Sequence, residues 1–168
     1  MANPTVVSVG ATNNRGTLSA VEIESAPARL RELPSWLIGQ AALKSQRVGA
    51  RALAEAGAHR SHYAVLAALD EFGPASQAAL GRRCGIDPSD MVALMSRLTG
   101  DDLVARSPDP EDRRRNLVSI TRAGRRRLDK LDATIAAAQD ELLEPLSEAE
   151  RARLAELLTR VVQHTPAD

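Results

Sequence analysis

One stretch of the chain constrains the fold more than any other. Residues 86–98 read IDPSDMVALMSRL, with apolar side chains at the i, i+3, i+4 and i+7 spacing of a helix that buries one face. Asp87 is a good N-cap, Pro88 suits the first helical position, and Asp90 is placed to receive free amides. Two short β-branched segments follow, residues 103–106 and 116–120, which predict an antiparallel hairpin with a long turn. The sequence therefore predicts a helix joined directly to a two-stranded hairpin.

Further helices are expected on both sides of this unit. Ser76 and Thr121 each precede a helical pattern as an N-cap, and Ser147 with Glu150 forms an S-x-x-E capping box. Pro145 separates the last two helices. The predicted order is helix, helix, helix, helix, hairpin, helix, helix. The expected helices cover residues 35–56, 61–72, 77–84, 88–98, 122–143 and 148–163.

Composition narrows the class of protein. The 168 residues suit one domain with appendages, and one Trp, one Tyr and one Phe leave the core to Leu, Ala, Val and Ile. A single cysteine, Cys84, excludes an intramolecular disulfide and a cysteine-only metal site, and it fits a reducing compartment. No apolar run approaches the roughly 18 residues of a membrane span, and the N-terminus lacks a signal-peptide pattern. We therefore expect a soluble, cytoplasmic protein.

Charge is distributed unevenly along the chain. Lys and Arg number 22 and Asp and Glu number 22, so the formal net charge is zero. Residues 106–127 nevertheless carry eight basic against three acidic side chains, whereas residues 128–168 carry four against nine. A local basic strip indicates contact with a polyanion at one place, and a solvated charged face is the alternative.

The order of elements indicates how a polyanion would be bound. Two short helices joined by a tight glycine-containing turn, the second followed by a hairpin, are the parts of a winged helix-turn-helix. In that arrangement the second helix enters the DNA major groove by its N-terminal residues. The hairpin, here residues 103–120 and called the wing, reaches the backbone or the minor groove, where an arginine can insert. The fold class is thus mainly α with a small β-hairpin wing.

Three segments resemble one family of DNA-binding proteins. They are FGPASQAALGRRCGIDPSDMVALMSRL for the helix pair, LVARSPDPEDRRRNLVSIT for the wing, and TRAGRRRL opening the next helix. The D-P-x-D-R-R wing followed by a strand and T-x-A-G is the most distinctive part. These segments resemble the MarR (multiple antibiotic resistance regulator) family of transcription factors, and the resemblance extends over about residues 35–163.

The resemblance implies a homodimer that binds double-stranded DNA at a pseudo-palindromic operator. The long apolar outer helices agree, because a monomer would expose much of their hydrophobic surface. Residues 1–27 are rich in Ser, Thr, Asn, Gly and Ala without a sustained period, so a flexible tail is expected there. The implied organisation of the rest is an N-terminal dimerisation helix at 28–60, a winged helix-turn-helix at 61–121 and C-terminal dimerisation helices at 122–164. The same resemblance implies a repressor that a small aromatic effector releases from DNA.

The resemblance also implies which residues of the helix pair contact DNA. Family members commonly have Thr and Arg where this chain has Asp90 and Ala93. Binding is therefore expected to depend more on Ser89, on apolar contacts of Val92 and Ala93 with thymine methyl groups, and on the wing. Asp90 could cap its helix or accept from a cytosine amino group. Ser96 is expected to face the DNA backbone. The expected contacts are Ser76, Gln77, Pro88, Ser89, Asp90, Val92, Ala93 and Arg97.

At the wing, the family pattern makes Asp112 the acid that orients and Arg114 the arginine that inserts into the minor groove. Arg113 and Arg115 are secondary contacts. The alternative is that the three arginines form only a soluble turn. A second departure from the family is Asp102, which stands where a glycine usually precedes the strand, so a tighter or reshaped turn is expected.

One helix face suggests an effector site. Trp36, Gln40, Lys44 and Arg47 face a similar direction on the first long helix, and His62 and Tyr63 begin the next. Together they could hold a phenolic ligand. The competing interpretation is dimer packing around Trp36 and Tyr63, with Lys44 and Arg47 in solvent. The family resemblance implies an arginine near Gln40 in relatives that bind aromatic acids, and its absence here argues against a carboxylate ligand.

The sequence offers little chemistry. Cys84, between the two DNA-binding helices, is expected to pack as a small hydrophobic side chain, with a peroxide sensor as the alternative. No cofactor, metal site or catalytic constellation is expected, since the histidines lack metal-ligand spacing. The function hypotheses are therefore a DNA-binding regulator, a winged-helix module that binds a protein or a membrane, and an enzyme on a borrowed fold.

Overall fold

The computed structural model describes residues 25–110 and 116–164. The described residues divide into two compact units, the first ending at Leu43 and the second beginning at Lys44. The elements confirm the predicted class, mainly helical with one two-stranded antiparallel hairpin. They are α1 (Ala28–Arg31), α2 (Pro34–Glu55), α3 (Arg60–Phe72), α4 (Gln77–Cys84), α5 (Pro88–Gly100), β1 (Val104–Pro108), β2 (Asn116–Ile120), α6 (Arg122–Leu142) and α7 (Glu148–Gln163).

The described part of the first unit contains α1 and the start of α2. The carbonyl oxygen of Pro27 accepts from the amide of Leu30 at 2.9 Å and closes the single turn of α1, which the sequence did not predict. Pro34 is the first residue of α2, a position that needs no amide donor. Large apolar side chains in this unit are exposed: Leu30, Leu33, Leu37, Ile38 and Leu43.

The core of the second unit is aliphatic, as the composition predicts. Helices α3 to α6 and both strands contribute to it, and the predicted inward stripe of α5 is buried at Met91, Leu94, Met95 and Leu98. Its largest fully buried side chains are Leu66, Leu69, Leu80, Met95, Leu98, Leu131, Val65, Val104 and Val118.

The predicted helix caps form hydrogen bonds. Ser76 Oγ accepts from the amide of Ala79 at 3.3 Å, and the amide and hydroxyl of Ser147 donate to Glu150 at 2.9 and 2.6 Å. At α3 the sequence missed the cap, because the helix begins at Arg60 and His59 Nδ1 accepts from the amide of Ser61 at 3.3 Å. Histidine is not among the residues preferred at this position.

The wing is more extensive than the sequence predicts. Strand β1 runs to Pro108, two residues beyond the expected end, and Val104 pairs with Ile120 at the base. Ala75, outside the hairpin, also pairs with β2, since its backbone exchanges hydrogen bonds with that of Val118 at 2.9 and 3.0 Å. The predicted tip residues Asp112, Arg113, Arg114 and Arg115 lie outside the described residues.

The base of the wing is tied to the start of α6. Thr121 Oγ1 donates to the carbonyl oxygen of Asp102 at 2.7 Å and accepts from the amide of Gly124 at 2.9 Å. Asp102 has φ 56°, the left-handed conformation that glycine adopts most readily and that Asp tolerates. The turn therefore has the backbone conformation that a glycine would take there.

Within the described ranges, none of the helices is both long enough and apolar enough to cross a membrane.

Candidate nucleic-acid interface

Helix α5 has one buried face and one exposed face. Opposite the buried stripe, the side chains expected at DNA are all exposed: Pro88, Ser89, Asp90, Val92, Ala93, Ser96 and Arg97. The same spacing that seats α5 on the core therefore turns these residues outward together.

The N-terminal end of α5 confirms Asp87 as the predicted cap and differs from the expectation at Asp90 and Ser89. Asp87 is the observed cap, and its Oδ1 accepts from the amide of Ser89 at 3.0 Å and from the hydroxyl of Ser89 at 2.7 Å. These two hydrogen bonds lower the pKa of the Asp87 carboxyl, and the bond from the Ser89 hydroxyl has the larger effect. Asp90 is therefore not the cap, because Asp87 already lies at the start of the first turn. Ser89 is not a free donor either, because its proton is used by Asp87.

A groove runs along each side of α5. The groove shared with α4 is lined by Gln77, Arg82 and Val92 among others. The groove shared with the start of α3 includes Arg60 and Arg97. Each side of the exposed helix thus has an arginine, the residue type that commonly donates to DNA phosphates.

Ser76, Gln77 and Arg106 lie on elements that contact α5, and they differ in exposure. Ser76 and Gln77, at the start of α4, are only half-exposed, and the hydroxyl of Ser76 is engaged as the cap of α4. Arg106 is exposed on β1. Sequence reasoning missed Arg60 and Arg82 as candidate contacts. Both arginines could have been predicted as contacts from their positions at the start of α3 and the end of α4, beside the predicted recognition helix.

His62 lies in the second groove as part of a helix cap. Its Nδ1 accepts from the amide of His59 at 3.2 Å, so the ring is held at the N-terminal end of α3. Burial lowers the pKa of the His62 imidazole, and the positive charge of Arg97 lowers it further. The neutral imidazole is therefore the form that fits this cap.

The expected effector residues are spread over both units. Trp36 and Gln40 belong to the first unit and are half-buried, whereas Lys44 and Arg47 belong to the second unit and are exposed. The hydroxyl of Tyr63 donates to Asp132 Oδ1 at 2.9 Å. Burial raises the pKa of Tyr63, and the bond to Asp132 adds to the shift.

Cys84 is the last residue of α4 rather than part of the turn that follows. It is half-buried, and its Sγ lies 3.5 Å from the carbonyl oxygen of Ala64. Burial raises the pKa of the Cys84 thiol, against a smaller opposing effect of Arg83. Across residues 25–110 and 116–164, no three His, Cys, Asp or Glu side chains are grouped so that they could hold a metal ion.

Comparison with known proteins identifies the family. A family model described as the MarR family matches residues 56–115, which include α3 to α5 and most of the wing. A probable transcriptional regulator from Pseudomonas aeruginosa is 33% identical, and its structure aligns with a TM-score of 0.65 over 79% of this chain and 99% of its own. The chain belongs to the MarR family. It is accordingly a DNA-binding transcriptional regulator with the winged-helix fold.

Two further MarR-like relatives resemble the chain over most of its length. The transcriptional repressor NicR of Pseudomonas putida is 25% identical over 150 residues, which cover 89% of this chain and 95% of NicR. CouR of Rhodococcus jostii, solved with bound p-coumaroyl-CoA, is 25% identical with a TM-score of 0.64, over 84% of this chain and all of CouR.

Proposed function

We propose that this MarR-family chain is a homodimeric repressor that binds a pseudo-palindromic operator and leaves it when a small aromatic ligand binds. The observation that supports it best is the outward face of α5, where every side chain expected at DNA is exposed while the opposite stripe is buried. In a winged helix, that face enters the major groove.

The last helix supports a dimer. No residue of α7, all of which the structure describes, is buried in the single chain, although the helix carries several large apolar side chains. Val162 is 83% exposed, and Leu157, Leu158 and Val161 are exposed beside it. A second copy of the chain would remove this apolar surface from water, and a two-fold dimer would present two copies of α5 to two half-sites.

Repression and ligand release are supported by relatives. NicR is named a repressor, and CouR was solved with an acyl-CoA that carries a phenolic ring. In this chain, Trp36, Gln40, Lys44, Arg47, His62 and Tyr63 offer an indole, an amide, two cations, an imidazole and a phenol. The proposed ligand is a phenolic compound, since its ring suits the indole of Trp36 and its hydroxyl suits an amide or an imidazole.

DNA binding is tested with the intergenic fragment beside the chain's own gene. Affinity is measured by mobility shift at several salt concentrations, against a shuffled duplex of equal length. The proposal predicts preference for the natural fragment and a steep decrease of affinity with salt. Equal weak binding to both duplexes at low salt would instead favour the winged-helix module that binds a protein.

The dimer is tested by sedimentation equilibrium of the full chain. Val161→Asp places a charge in the exposed apolar surface of α7 and should shift the population towards monomer. Arg160→Asp, its neighbour outside that surface, is the matched control and should leave the dimer intact. Wild-type protein that sediments as a monomer at micromolar concentration would contradict the proposal.

The ligand is tested with a thermal-shift screen of phenolic compounds on the wild-type protein. A binder should raise the unfolding temperature and lower the affinity for the intergenic fragment. Trp36→Ala should weaken that effect while leaving DNA binding without ligand intact. Compounds that shift neither property would count against an effector of this class.

A further inference from the structure

The end of α5 that would read bases presents hydrogen-bond acceptors and apolar groups, without a free side-chain donor. Pro88 has no donor, and the hydroxyl of Ser89 donates to Asp87 Oδ1 at 2.7 Å, which leaves its oxygen as an acceptor. The side chain of Asp90 offers carboxylate oxygens, which accept hydrogen bonds. None of the three leading residues of the helix therefore offers DNA a free side-chain donor.

Asp90 is available for readout because the helix does not need it as a cap. Asp87 already accepts from the amide of Ser89 at 3.0 Å, and the carboxylate of Asp90 is exposed beside it. None of the residues that the structure describes donates a hydrogen bond to Asp90. Its acceptors are free to meet a donor on a base edge.

Val92 is the apolar counterpart. Its side chain is 66% exposed on the outward face of α5, although it belongs to a residue type that proteins usually bury. Ala93 is exposed next to it and offers a second methyl group. Exposed methyl groups on a recognition helix match the C5-methyl group of thymine in the major groove.

Guanine is the base that this surface does not suit. In the major groove guanine shows two acceptors, N7 and O6, and the commonest specific contact to it comes from Arg or Lys. On α5 the nearest such side chain after Asp90 is Arg97, seven residues later in the last turn and about 10 Å further along the axis. A carboxylate facing guanine would meet acceptors alone.

We propose that α5 selects its half-site by two features: Val92 packs on a thymine methyl group, and Asp90 accepts from the amino group of a cytosine. Asp90 thereby excludes guanine from the position that it faces. The inference rests on the proposed function, because it needs α5 to lie in the major groove. Arg60, Arg82 and the wing would supply the attraction to phosphates, which carries no base preference.

One consequence separates this role from a structural one. A carboxylate near the DNA backbone repels phosphates, so Asp90 lowers affinity for duplexes that lack its cytosine and improves discrimination at that base pair. Asp90→Ala should therefore bind such duplexes more tightly and discriminate less. Loss of a purely structural residue would not raise affinity.

The test begins with duplexes enriched from a randomised library by the full-length wild-type protein. Each thymine in the enriched half-site is then replaced by uracil, which lacks only the methyl group. At the thymine that Val92 contacts, affinity should decrease about fourfold, as expected for one buried methyl group. Val92→Ala should bind the thymine and uracil duplexes almost equally. Uracil in the spacer between half-sites is the control and should change nothing.

The Asp90 arm repeats the enrichment with Asp90→Ala and Asp90→Asn. The first should lose its preference for cytosine at one position in each half-site, and the second should shift towards adenine, which Asn contacts through two hydrogen bonds. If uracil leaves the affinity unchanged at every position, and both variants enrich the same sequence as wild type, the inference is wrong but the proposed regulatory function is not contradicted. If wild type enriches no sequence, the proposed function fails and the inference fails with it.

Discussion

Gly124 lies directly against the carbonyl oxygen of Leu103, at the junction of α6 and the wing. A Cβ atom on Gly124 would lie 2.7 Å from Cγ1 of Ile120 and closer still to that oxygen. The amide of Gly124 also donates to Thr121 Oγ1 at 2.9 Å. The Thr and Gly of the T-x-A-G motif therefore fix the start of a long helix to both strands of the hairpin.

Replacing Gly124 by Ala should destabilise the protein. The added methyl group overlaps backbone and side-chain atoms that cannot move independently, so the free energy of unfolding should decrease by about 1–3 kcal/mol. Urea denaturation at a fixed protomer concentration measures it. Gly100→Ala is the control, because a Cβ there meets no atom within 4 Å and should leave stability equal or higher. Equal stability of the two variants would show that the contact is unimportant.

Thr121 should matter through its hydroxyl. Thr121→Val keeps the shape but removes the bond to Asp102 and the cap of α6, so unfolding should become easier by about 1–2 kcal/mol. Thr121→Ser keeps both bonds and should recover most of this loss. Binding to the intergenic fragment should follow the same order, since the hydroxyl positions the wing base. A Ser variant as weak as Val would argue against the hydrogen bonds.

Stability should depend on pH through His62. Its folded-state pKa is lowered, so the unfolded chain binds more protons near and below the ordinary value of about 6.5. The contribution of neutral His62 is fully present above that value and is lost as the pH decreases. His62→Gln should flatten the dependence of unfolding free energy on pH between about 7 and 5, and His164→Gln should not. An unchanged slope in His62→Gln would contradict this assignment.

Cys84 should react slowly. Burial raises the pKa of its thiol, so less thiolate is present at neutral pH than for an exposed cysteine. Alkylation by iodoacetamide at pH 7.5 should be several-fold slower in folded than in urea-unfolded protein, and mild peroxide should leave DNA binding intact. Peroxide-induced loss of binding that disappears in Cys84→Ser would instead support a redox sensor.

Much of the fold follows from local signals in the sequence. Ser76, Asp87 and Thr121 were predicted as caps and are caps, because capping depends on a few adjacent backbone groups. The buried stripe of α5 followed from helical period alone. Local signals are sufficient where the interaction lies within one turn.

Other features depend on contacts distant in sequence. Ala75 pairs with Val118, and the guanidinium of Arg127 donates to the carbonyl oxygen of Ala56 at the end of α2. No local sequence pattern predicts such pairs, because tertiary packing brings their residues together. For the candidate site, the sequence identified the outward residues of α5 but not the state of Ser89. Its hydroxyl proton is assigned only once the carboxylate of Asp87 is seen beside it.

The most direct test of the regulator is hydroxyl-radical footprinting of the wild-type protein on a duplex enriched by selection, at about 0.15 M salt. Two protected half-sites are expected, with centres about 10 base pairs, or a multiple of one helical turn, apart, and no protection of a shuffled duplex is expected. Arg114→Ala should weaken protection where the minor groove flanks each half-site. Uniform protection of both duplexes, or a single protected half-site under saturating protein, would contradict a dimer that reads DNA through two copies of α5.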